Sequence, residues 1–564
     1  MKKIYAAVIF ICFFNLLHAQ NPLVKQWDKR FGGTRDDVFF HFQQTADGGY
    51  ILGGYSTSDV SGDKSQPNWD TIPPNYFRDY WIVKTDSLGN KTWDKRFGGI
   101  QDDFLYSVQQ TIDGGYILGG HSNSGKNGDK TQNAWLDTNN VRTLDYWIVK
   151  TDSLGNLQWD KRFGGKGTDY CYSISRTFDG GYILGGKSNS SNDGDKSQPN
   201  WDTLNGTSDY WVVKTDSIGN KQWDIRYGGT SEDILQNLQQ TIDGGYILGG
   251  WSLSDSSGDK TQSSWGGYDY WIVKIDSLGN KQWDKRFGGN NFERFYSLQQ
   301  INDRGYILGG LSASGISGDK TQPNWDTIAP FTGDYWIVKI DSLGNKLWDR
   351  DFGGTANEDE FGNVTLTFDG GYLLTGTSYS DISGDKTENN LGDEQIWVVK
   401  TDSLGIKQWD KTIFTTGHDE IGYSVQSIDL CYAITVSTYA GIGGYKTQPN
   451  WDTIFLSSDY WIVKFCDTTV TTGVSNSPLE RGQGCVIYPN PFTSEITINI
   501  QKENVKQANF TIKNILGQTV FREKSEILNP KSEIKFNLEF LQQGIYFLEI
   551  NLSEERMVRK IIKQ

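Results

Sequence analysis

The chain has 564 residues, a formal net charge of −15, and aromatic side chains at 14% of its positions. This length exceeds one ordinary single-core domain, so we expect several domains or an array of repeats. The acidic charge argues against nucleic acid and anionic lipid surfaces as partners, because both would be repelled.

The first nineteen residues are typical of a secretory signal peptide. Lys2 and Lys3 give a short basic region, and residues 4–17 are mostly apolar. Ala19 supplies the small residue before the cut, so we predict cleavage between Ala19 and Gln20. The apolar stretch is short for a membrane span, and no other stretch approaches about 18 apolar residues. No transmembrane segment is therefore predicted.

A unit of 60 to 66 residues recurs seven times after this segment. One anchor of the unit is the hexapeptide Asp-Tyr-Trp-Ile-Val-Lys or a close variant. It begins at Asp79, Asp145, Asp209, Asp269, Asp334, Gln395 and Asp459. The stretches W-D-K-R-F-G-G, first seen at Trp27, and D-G-G-Y-I-L-G-G, first seen at Asp47, recur with it. The repeat therefore dominates the fold.

Each unit predicts four short antiparallel strands. In the first unit they cover residues 39–45, 50–55, 80–86 and 92–97, joined by two Gly-containing turns and one long loop. Tandem four-stranded units cannot bury both faces alone and must stack on their neighbours. We therefore predict an all-β fold, a seven-bladed β-propeller over residues 20–467. A β-solenoid is the alternative, but its coils are usually shorter than this unit.

The phase of the repeat predicts how the ring closes. A strand at residues 26–31 precedes any of the other three strand types, and the last unit ends near residue 465 without that strand. We expect residues 26–31 to complete the last blade, which would hide two open strand edges.

The wiring of a blade also predicts which side of the ring carries function. The crossings between blades, such as residues 32–37, share one side with the long loops, such as residues 61–70. We call this side the long-loop rim, and the opposite side, which carries only tight turns, the hairpin rim. Loop length and chemical variety favour the long-loop rim as the ligand face.

Six long loops carry a tryptophan beside Asn, Gln or Asp, a combination that can grip sugar rings. These residues are Trp69, Trp135, Trp201, Trp265, Trp325 and Trp451. The alternative is that each tryptophan packs its own loop onto the blade, since a loop of this length needs an internal anchor.

Three of the long loops contain the pattern D-x-S-G-D, which resembles the start of a calcium loop. The carboxylates are Asp59, Asp63, Asp255, Asp259, Asp381 and Asp385. Stabilisation of a turn by the Asp side chains is the alternative interpretation, and no distal glutamate completes a calcium loop. Calcium is the one cofactor that the sequence suggests.

The repeated strands also carry structural expectations. We predict that the tryptophan of each D-Y-W strand, such as Trp81, packs one blade against the next, and that the lysine three residues later, such as Lys84, pairs with a repeat carboxylate. Cys431 and Cys466 fall in the same final unit and are the best candidates for a disulfide in an exported protein. Unpaired buried thiols are the alternative.

The repeat ends at residue 467. Residues 468–484 are polar and predict a linker, and residues 485–564 predict an independent small β-sandwich. This last region carries Y-P-N-P-F, N-I-L-G-Q, L-x-x-G-I-Y-F and a basic end. The residues in these motifs that we single out are Tyr488, Pro489, Asn490, Pro491, Gly517, Gly544 and Lys560.

These motifs, in this order, resemble the type A C-terminal sorting domain of the type IX secretion system of Bacteroidetes. The repeats themselves resemble Gly-rich propeller repeats of exported bacterial proteins. The first resemblance implies passage across two membranes, an interaction with the type IX secretion machinery, and a secreted or cell-surface location after removal of the signal peptide. An ordinary Ig-like binding domain is the alternative for the C-terminal region.

The sequence favours a binding or adhesion protein over an enzyme. It contains no nucleophile elbow, zinc-protease motif or phosphate-binding loop, and its carboxylates recur once per unit as structural residues would. We expect a monomer whose long-loop rim binds an extracellular glycan or protein. The alternatives are a polysaccharide hydrolase or lyase with its site at the propeller mouth, and a purely structural surface spacer.

Overall fold

The structure is a computed structural model. It describes residues 23–70, 76–202, 206–325, 333–356, 360–452, 457–467, 485–488, 494–500, 507–514, 519–526, 532–541, 544–552 and 555–563. The predicted signal peptide with Ala19 and Gln20, the predicted linker 468–484, and Pro489, Asn490, Pro491 and Gly517 lie outside these ranges. The chain divides into two compact units, Met1–Val470 and Thr471–Gln564. Within the described ranges no helix has the length and apolarity that a membrane span requires.

The described part of the first unit consists of seven four-stranded antiparallel sheets, the blades. The innermost strands are β2 (Asp37–Gln44), β6 (Asp103–Gln110), β10 (Asp169–Arg176), β14 (Asp233–Gln240), β18 (Glu293–Gln300), β22 (Phe361–Leu366) and β26 (Asp419–Gln426). The second strands are β3 (Tyr50–Ser56), β7 (Tyr116–Ser122), β11 (Tyr182–Ser188), β15 (Tyr246–Ser252), β19 (Tyr306–Ser312), β23 (Tyr372–Ser378) and β27 (Tyr432–Thr438).

The third strands contain the D-Y-W anchor. They are β4 (Asp79–Thr85), β8 (Asp145–Thr151), β12 (Asp209–Thr215), β16 (Asp269–Ile275), β20 (Asp334–Ile340), β24 (Gln395–Thr401) and β28 (Asp459–Asp467). The outermost strands are β5 (Lys91–Phe97), β9 (Leu157–Phe163), β13 (Lys221–Tyr227), β17 (Lys281–Phe287), β21 (Lys346–Phe352), β25 (Lys407–Ile413) and β1 (Leu23–Phe31).

The N-terminal strand closes the ring, as the repeat phase predicts. The seventh blade has the order β26-β27-β28-β1, so β1 is its outermost strand. The pairing is antiparallel, with Trp27 opposite Lys464 and Phe31 opposite Tyr460. The innermost strands β2 and β26 are also in contact, which joins the first blade to the last. The prediction of a seven-bladed propeller closed by its first strand is confirmed.

The hydrophobic core lies between blades rather than within one blade. On β4, Tyr80 and Ile82 pack into a cluster shared with the second blade. Trp81 and Val83, whose side chains point to the opposite face, pack into a cluster shared with the seventh blade. Because both faces of the strand are buried, every position of D-Y-W-I-V can carry a large residue.

The expected ladder of tryptophans and the expected lysine pairs are both present. The Tyr80 ring lies 4.7 Å from the Trp147 ring of the next blade, and the Tyr80 hydroxyl donates to the Trp147 carbonyl at 2.9 Å. Lys84 Nζ lies 2.8 Å from an oxygen of Asp47 in the D-G-G turn. The same lysine–aspartate pair occurs in all seven blades.

A disulfide joins Cys431 to Cys466 and ties the start of β27 to the end of β28. This is the pair that the sequence favours. Cys171 is free and buried on β10. The covalent link therefore lies in the blade that the N-terminal strand completes.

The second unit is a small β-sandwich. One sheet has the order β29 (Cys485–Tyr488), β30 (Glu495–Ile500), β33 (Ser532–Asn537), and the other has the order β32 (Thr519–Glu526), β31 (Gln507–Asn514), β34 (Gly544–Leu552), β35 (Glu555–Lys563). Its core contains Ile496, Phe510, Phe536 and Leu548. Tyr488 ends β29 opposite Thr497, Gly544 begins β34, and Lys560 pairs with Phe547 on the sandwich's last strand.

Candidate functional site

Five of the six loop tryptophans donate a hydrogen bond to the neighbouring blade. The Trp69 ring lies under the guanidinium of Arg96 in its own blade, 4.6 Å from ring centroid to Cζ. Its indole N–H donates to Asp129 on the next blade at 2.9 Å. The same bond joins Trp135 to Asp195, Trp201 to Asp259, Trp325 to Asp385, and Trp451 to Asp63. Each of these tryptophans anchors its loop to the following blade, which the sequence did not reveal.

Part of each ring still reaches the surface, since Trp69 is 43% exposed and Trp265 is 57% exposed. A role of these rings in sugar binding stays a prediction. Sugar binding that moved the ring would be energetically costly, because it would break a contact between blades.

The carboxylates of the suggested calcium loops face hydrogen-bond donors. Asp63 Oδ2 accepts from the indole of Trp451 at 2.9 Å and from the Gly32 amide at 3.3 Å, and Arg30 lies 3.8 Å away. Asp259 and Asp385 accept from the equivalent tryptophan indole and glycine amide. The first carboxylates of the pattern, Asp59, Asp255 and Asp381, are exposed.

In the described ranges no three His, Cys, Asp or Glu side chains form a group that could hold a metal ion. Calcium binding stays a prediction. A bound calcium ion would have to displace the N–H donors from these carboxylates.

A cavity of about 340 Å³ opens on the long-loop rim between the first and seventh blades. We call it the mouth pocket. Its polar and aromatic lining includes Asp36, Phe40, Tyr55, Arg78, Glu420 and Tyr439. Asp36 ends a crossing, Arg78 directly precedes β4, and Tyr439 directly follows β27. These positions lie at the same end of their strands, so two blades present them on one rim.

The blades differ in the bulges of their innermost strands, two of which contribute to the lining of the pocket. Each innermost strand has a β-bulge, and the bulged residue is left out of the pairing. In the first two blades this residue is Phe40 or Tyr106, and their rings lie 4.4 Å apart. In the last two blades Gly362 and Gly422 stand in the bulges. The bulge of the seventh blade also leaves out Ile421, and Ile421 and Phe40 both line the pocket.

Two carboxylates from different blades converge on the pocket. Burial, then the negative charges of Glu420 and Asp36, raise the pKa of Tyr439 to about 12. The same two carboxylates also act to raise the pKa of Tyr55, for which burial is the largest cause. Arg78 brings a cation to the edge of the pocket, hydrogen-bonded to Asp102 at 3.1 Å.

An aromatic wall extends from the pocket along the first three blades. The Phe40 ring lies 5.7 Å from Tyr55. His121 lies 5.1 Å from Tyr106 and 4.7 Å from Tyr170. Burial lowers the pKa of His121 to about 3, so this imidazole is neutral at physiological pH. The wall is therefore uncharged, in contrast to the acidic side of the pocket.

The sequence analysis missed the mouth-pocket residues because it looked for features that recur. The pocket uses positions that change from unit to unit, such as Asp36, whose counterparts in the second, third, fourth and fifth units are Asp102, Thr168, Glu232 and Phe292. Alignment of the seven units would have identified these variable positions, although only the ring shows that the first and last units meet.

Residues 486–564 match the family model of the secretion system C-terminal sorting domain. The regulatory protein FlaEY of Caulobacter vibrioides is 29% identical over 139 residues, which are 24% of this chain. The chain spans only 15% of the length of that curated relative.

Several solved structures are similar at low identity. The WD40 domain of Neurospora crassa Pan2 has a TM-score of 0.40 at 9% identity, over 77% of this chain and 89% of that one. A fungal alcohol oxidase of the AA5 family with copper has a TM-score of 0.41 at 10% identity, over 96% and 100%. NanB sialidase of Streptococcus pneumoniae has a TM-score of 0.36 at 8% identity, over 77% and 94%. These likenesses carry no information about activity.

Proposed function

Since the chain carries a type IX secretion sorting domain and is exported to the cell surface or beyond, we propose that its propeller is an extracellular binding or adhesion module with its ligand site in the mouth pocket. The observation that carries this proposal is the convergence of Asp36 and Glu420, from two blades, on one cavity of the long-loop rim. Elsewhere the rim repeats a structural pattern, whereas here the pattern changes and leaves open space.

The chemistry of the pocket favours a carbohydrate. Tyr55, Tyr439 and Phe40 offer aromatic surface for the apolar face of a sugar ring. Asp36 and Glu420 can accept hydrogen bonds from hydroxyl groups, and Arg78 can donate to ring or carboxyl oxygens. A few polar groups around an apolar surface are the usual composition of a small-ligand site.

The frame around the pocket is stiff, which favours binding over chemistry that needs a moving lid. The seventh blade is held by the pairing of β1 with β28 and by the disulfide between Cys431 and Cys466. A pre-formed pocket reduces the ordering cost of binding.

The proposal is tested by binding of the full chain to an extracellular-glycan array, followed by calorimetry on the sugars that bind. We expect Glu420→Gln and Asp36→Asn each to weaken binding at least about tenfold, because each removes charge-assisted hydrogen bonds. Phe178→Ala is the matched control, since this side chain is 73% exposed on the hairpin rim. Unchanged affinity in both pocket variants would contradict the proposal.

A polysaccharide hydrolase is a second candidate. Asp36 and Glu420 come from different blades, and both act to raise the pKa values of Tyr55 and Tyr439. Paired carboxylates of this kind can supply an acid and a base for glycoside cleavage. Release of new reducing ends by the wild type, abolished in both pocket variants, would favour the hydrolase. If the chain neither binds nor cleaves any glycan, the interpretation as a structural surface spacer remains.

A further inference from the structure

Pairs of buried acidic side chains face each other where the blades meet. Each pair joins the first residue of a third strand to the first residue of the innermost strand in the next blade. Within the described residues the pairs are Asp79 with Asp103, Asp145 with Asp169, Asp209 with Asp233, Asp269 with Glu293, and Asp459 with Asp37. All ten side chains are at most 1% exposed.

The first glycine of each F-G-G motif makes room for the pair. At Gly98, Asp79 Oδ1 lies 2.2 Å and Asp103 Oδ2 lies 2.9 Å from the point where a Cβ would stand. At Gly288 the two acidic oxygens lie 2.1 and 2.7 Å from the same point. Two carboxylate oxygens therefore share the space that one missing side chain leaves.

In most pairs each carboxylate has one hydrogen-bonded oxygen and one oxygen without a hydrogen bond among the described residues. In the pair Asp145–Asp169, Asp169 Oδ2 accepts from the Gly165 amide at 2.8 Å and from Ser190 Oγ at 2.9 Å. Asp145 Oδ2 accepts from the Trp135 amide at 2.7 Å. Asp145 Oδ1 and Asp169 Oδ1 accept from no described residue. The same holds for Oδ1 of both acids in the pairs Asp209–Asp233 and Asp459–Asp37, and for Asp269 Oδ1. A buried, unpartnered carboxylate oxygen beside a second carboxylate is costly.

Nearby cations do not remove this cost. The charged groups that face Asp145 and Asp169 are Arg162 on β9 and Lys130 and Lys196 on the two long loops. Arg162 lies 3.7 Å from Asp145 Oδ2, the oxygen that is already bonded. Lys130 Nζ donates to a serine, Ser122, at 2.7 Å.

We propose that each of these pairs is a proton-binding site. One proton at neutral pH lies between Oδ1 of the third-strand acid and the carboxylate that faces it. With the proton on Asp145 Oδ1, this oxygen becomes a donor to Asp169, and the pair carries one negative charge instead of two. The unit repeats this site around the ring, so the bound protons help to hold blade to blade.

The sign of the effect on stability follows from the pKa values. Burial, then the charge of Asp37, raise the pKa of Asp459 to about 8, whereas an unfolded Asp has a pKa of about 4. Between these values the folded chain binds more protons than the unfolded chain. The stabilisation is therefore complete at acid pH and is lost as the pH rises towards 8. Burial lowers the pKa of Lys130 to about 8, below the pKa of an unfolded lysine. This lysine therefore makes the stability rise with pH, but mainly above about pH 8.

The sixth junction supplies a natural control, because Gln395 replaces the first acid of the pair and its amide donates to the carbonyls of Glu394 and Gly417. Asp145→Asn should fold, since its amide can donate to Asp169 as the protonated acid would. Gln395→Asp should create one additional pair.

The test is the number of protons released when the full chain unfolds at pH 7, measured by calorimetry in buffers of different ionisation enthalpy. We expect net release from the wild type, about one proton less from Asp145→Asn, and up to about one more from Gln395→Asp. Infrared absorption of protonated carboxyl groups in the folded protein should change in the same direction. No release from the wild type, or equal release from all three proteins, would overturn the proposal.

Discussion

At the scale of single residues, the two kinds of tryptophan in the repeat have different roles although both use the indole N–H. Trp81 is buried, and its N–H donates to Asp94 within the same blade at 3.1 Å. Trp69 lies on the rim and donates to Asp129 of the next blade. The first bond fixes the edge of a blade, and the second fixes the distance between two blades.

We expect Trp201→Phe to lower the free energy of unfolding by about 1 kcal/mol, because phenylalanine keeps the ring under Arg226 but cannot donate to Asp259. Chemical denaturation measures this difference. Trp265→Phe is the matched control, since its ring packs under Arg286 at 4.6 Å but its indole donates to none of the described residues. Equal losses in the two variants would show that the bond between blades contributes nothing.

At the scale of elements, β1 reproduces in the seventh blade what an outermost strand does in the other six. Asp28 on β1 accepts from the Trp461 indole at 3.0 Å, as Asp94 accepts from Trp81 in the first blade. The strand begins at Leu23, three residues before the predicted start, and Leu23 is buried in the core between the sixth and seventh blades. A segment from the start of the chain thus completes a core built by its end.

Deletion of residues 20–31 should lower the melting temperature of the propeller, because it exposes the edge of β28 and opens the core at Phe31. Differential scanning calorimetry measures the shift. A variant that lacks only residues 20–22, which precede β1, is the control and should melt like the parent. If the longer deletion melts unchanged, β1 does not hold the ring.

At the scale of the whole molecule, the chain combines a regular frame with one irregular region. The seven cores between blades share the same residue types, and five of the long loops tie their blade to the next through a tryptophan. The mouth pocket lies where the first and last blades meet. The C-terminal sandwich serves export and forms a unit of its own.

Removal of residues 485–564 should leave the protein inside the cell envelope, because the matched sorting domain would be lost. Immunoblots of culture medium, cell surface and periplasm measure this distribution. The propeller should still fold there, since it is a compact unit of its own. Undiminished secretion of the shortened chain would contradict the prediction.

The sequence by itself determined the local and periodic features of this protein. Strand pairs such as β2 with β3 are joined by tight turns, and large residues at every position of β4 indicate two buried faces, so the repeat predicts the blades and their stacking. The last unit lacks a fourth strand, and this predicts that the N-terminal strand completes the last blade. These features follow from short-range geometry that is the same in every unit.

Only the tertiary structure decided which side chains meet across blades and across the ring. Trp69 and Asp129 are 60 residues apart, Asp36 and Glu420 meet only because the ring closes, and the acid pairs form only where a glycine leaves space between two blades. These contacts depend on the distances and angles between blades, which no pattern within one unit contains. The candidate ligand site and the proton sites therefore had to be found in the folded ring.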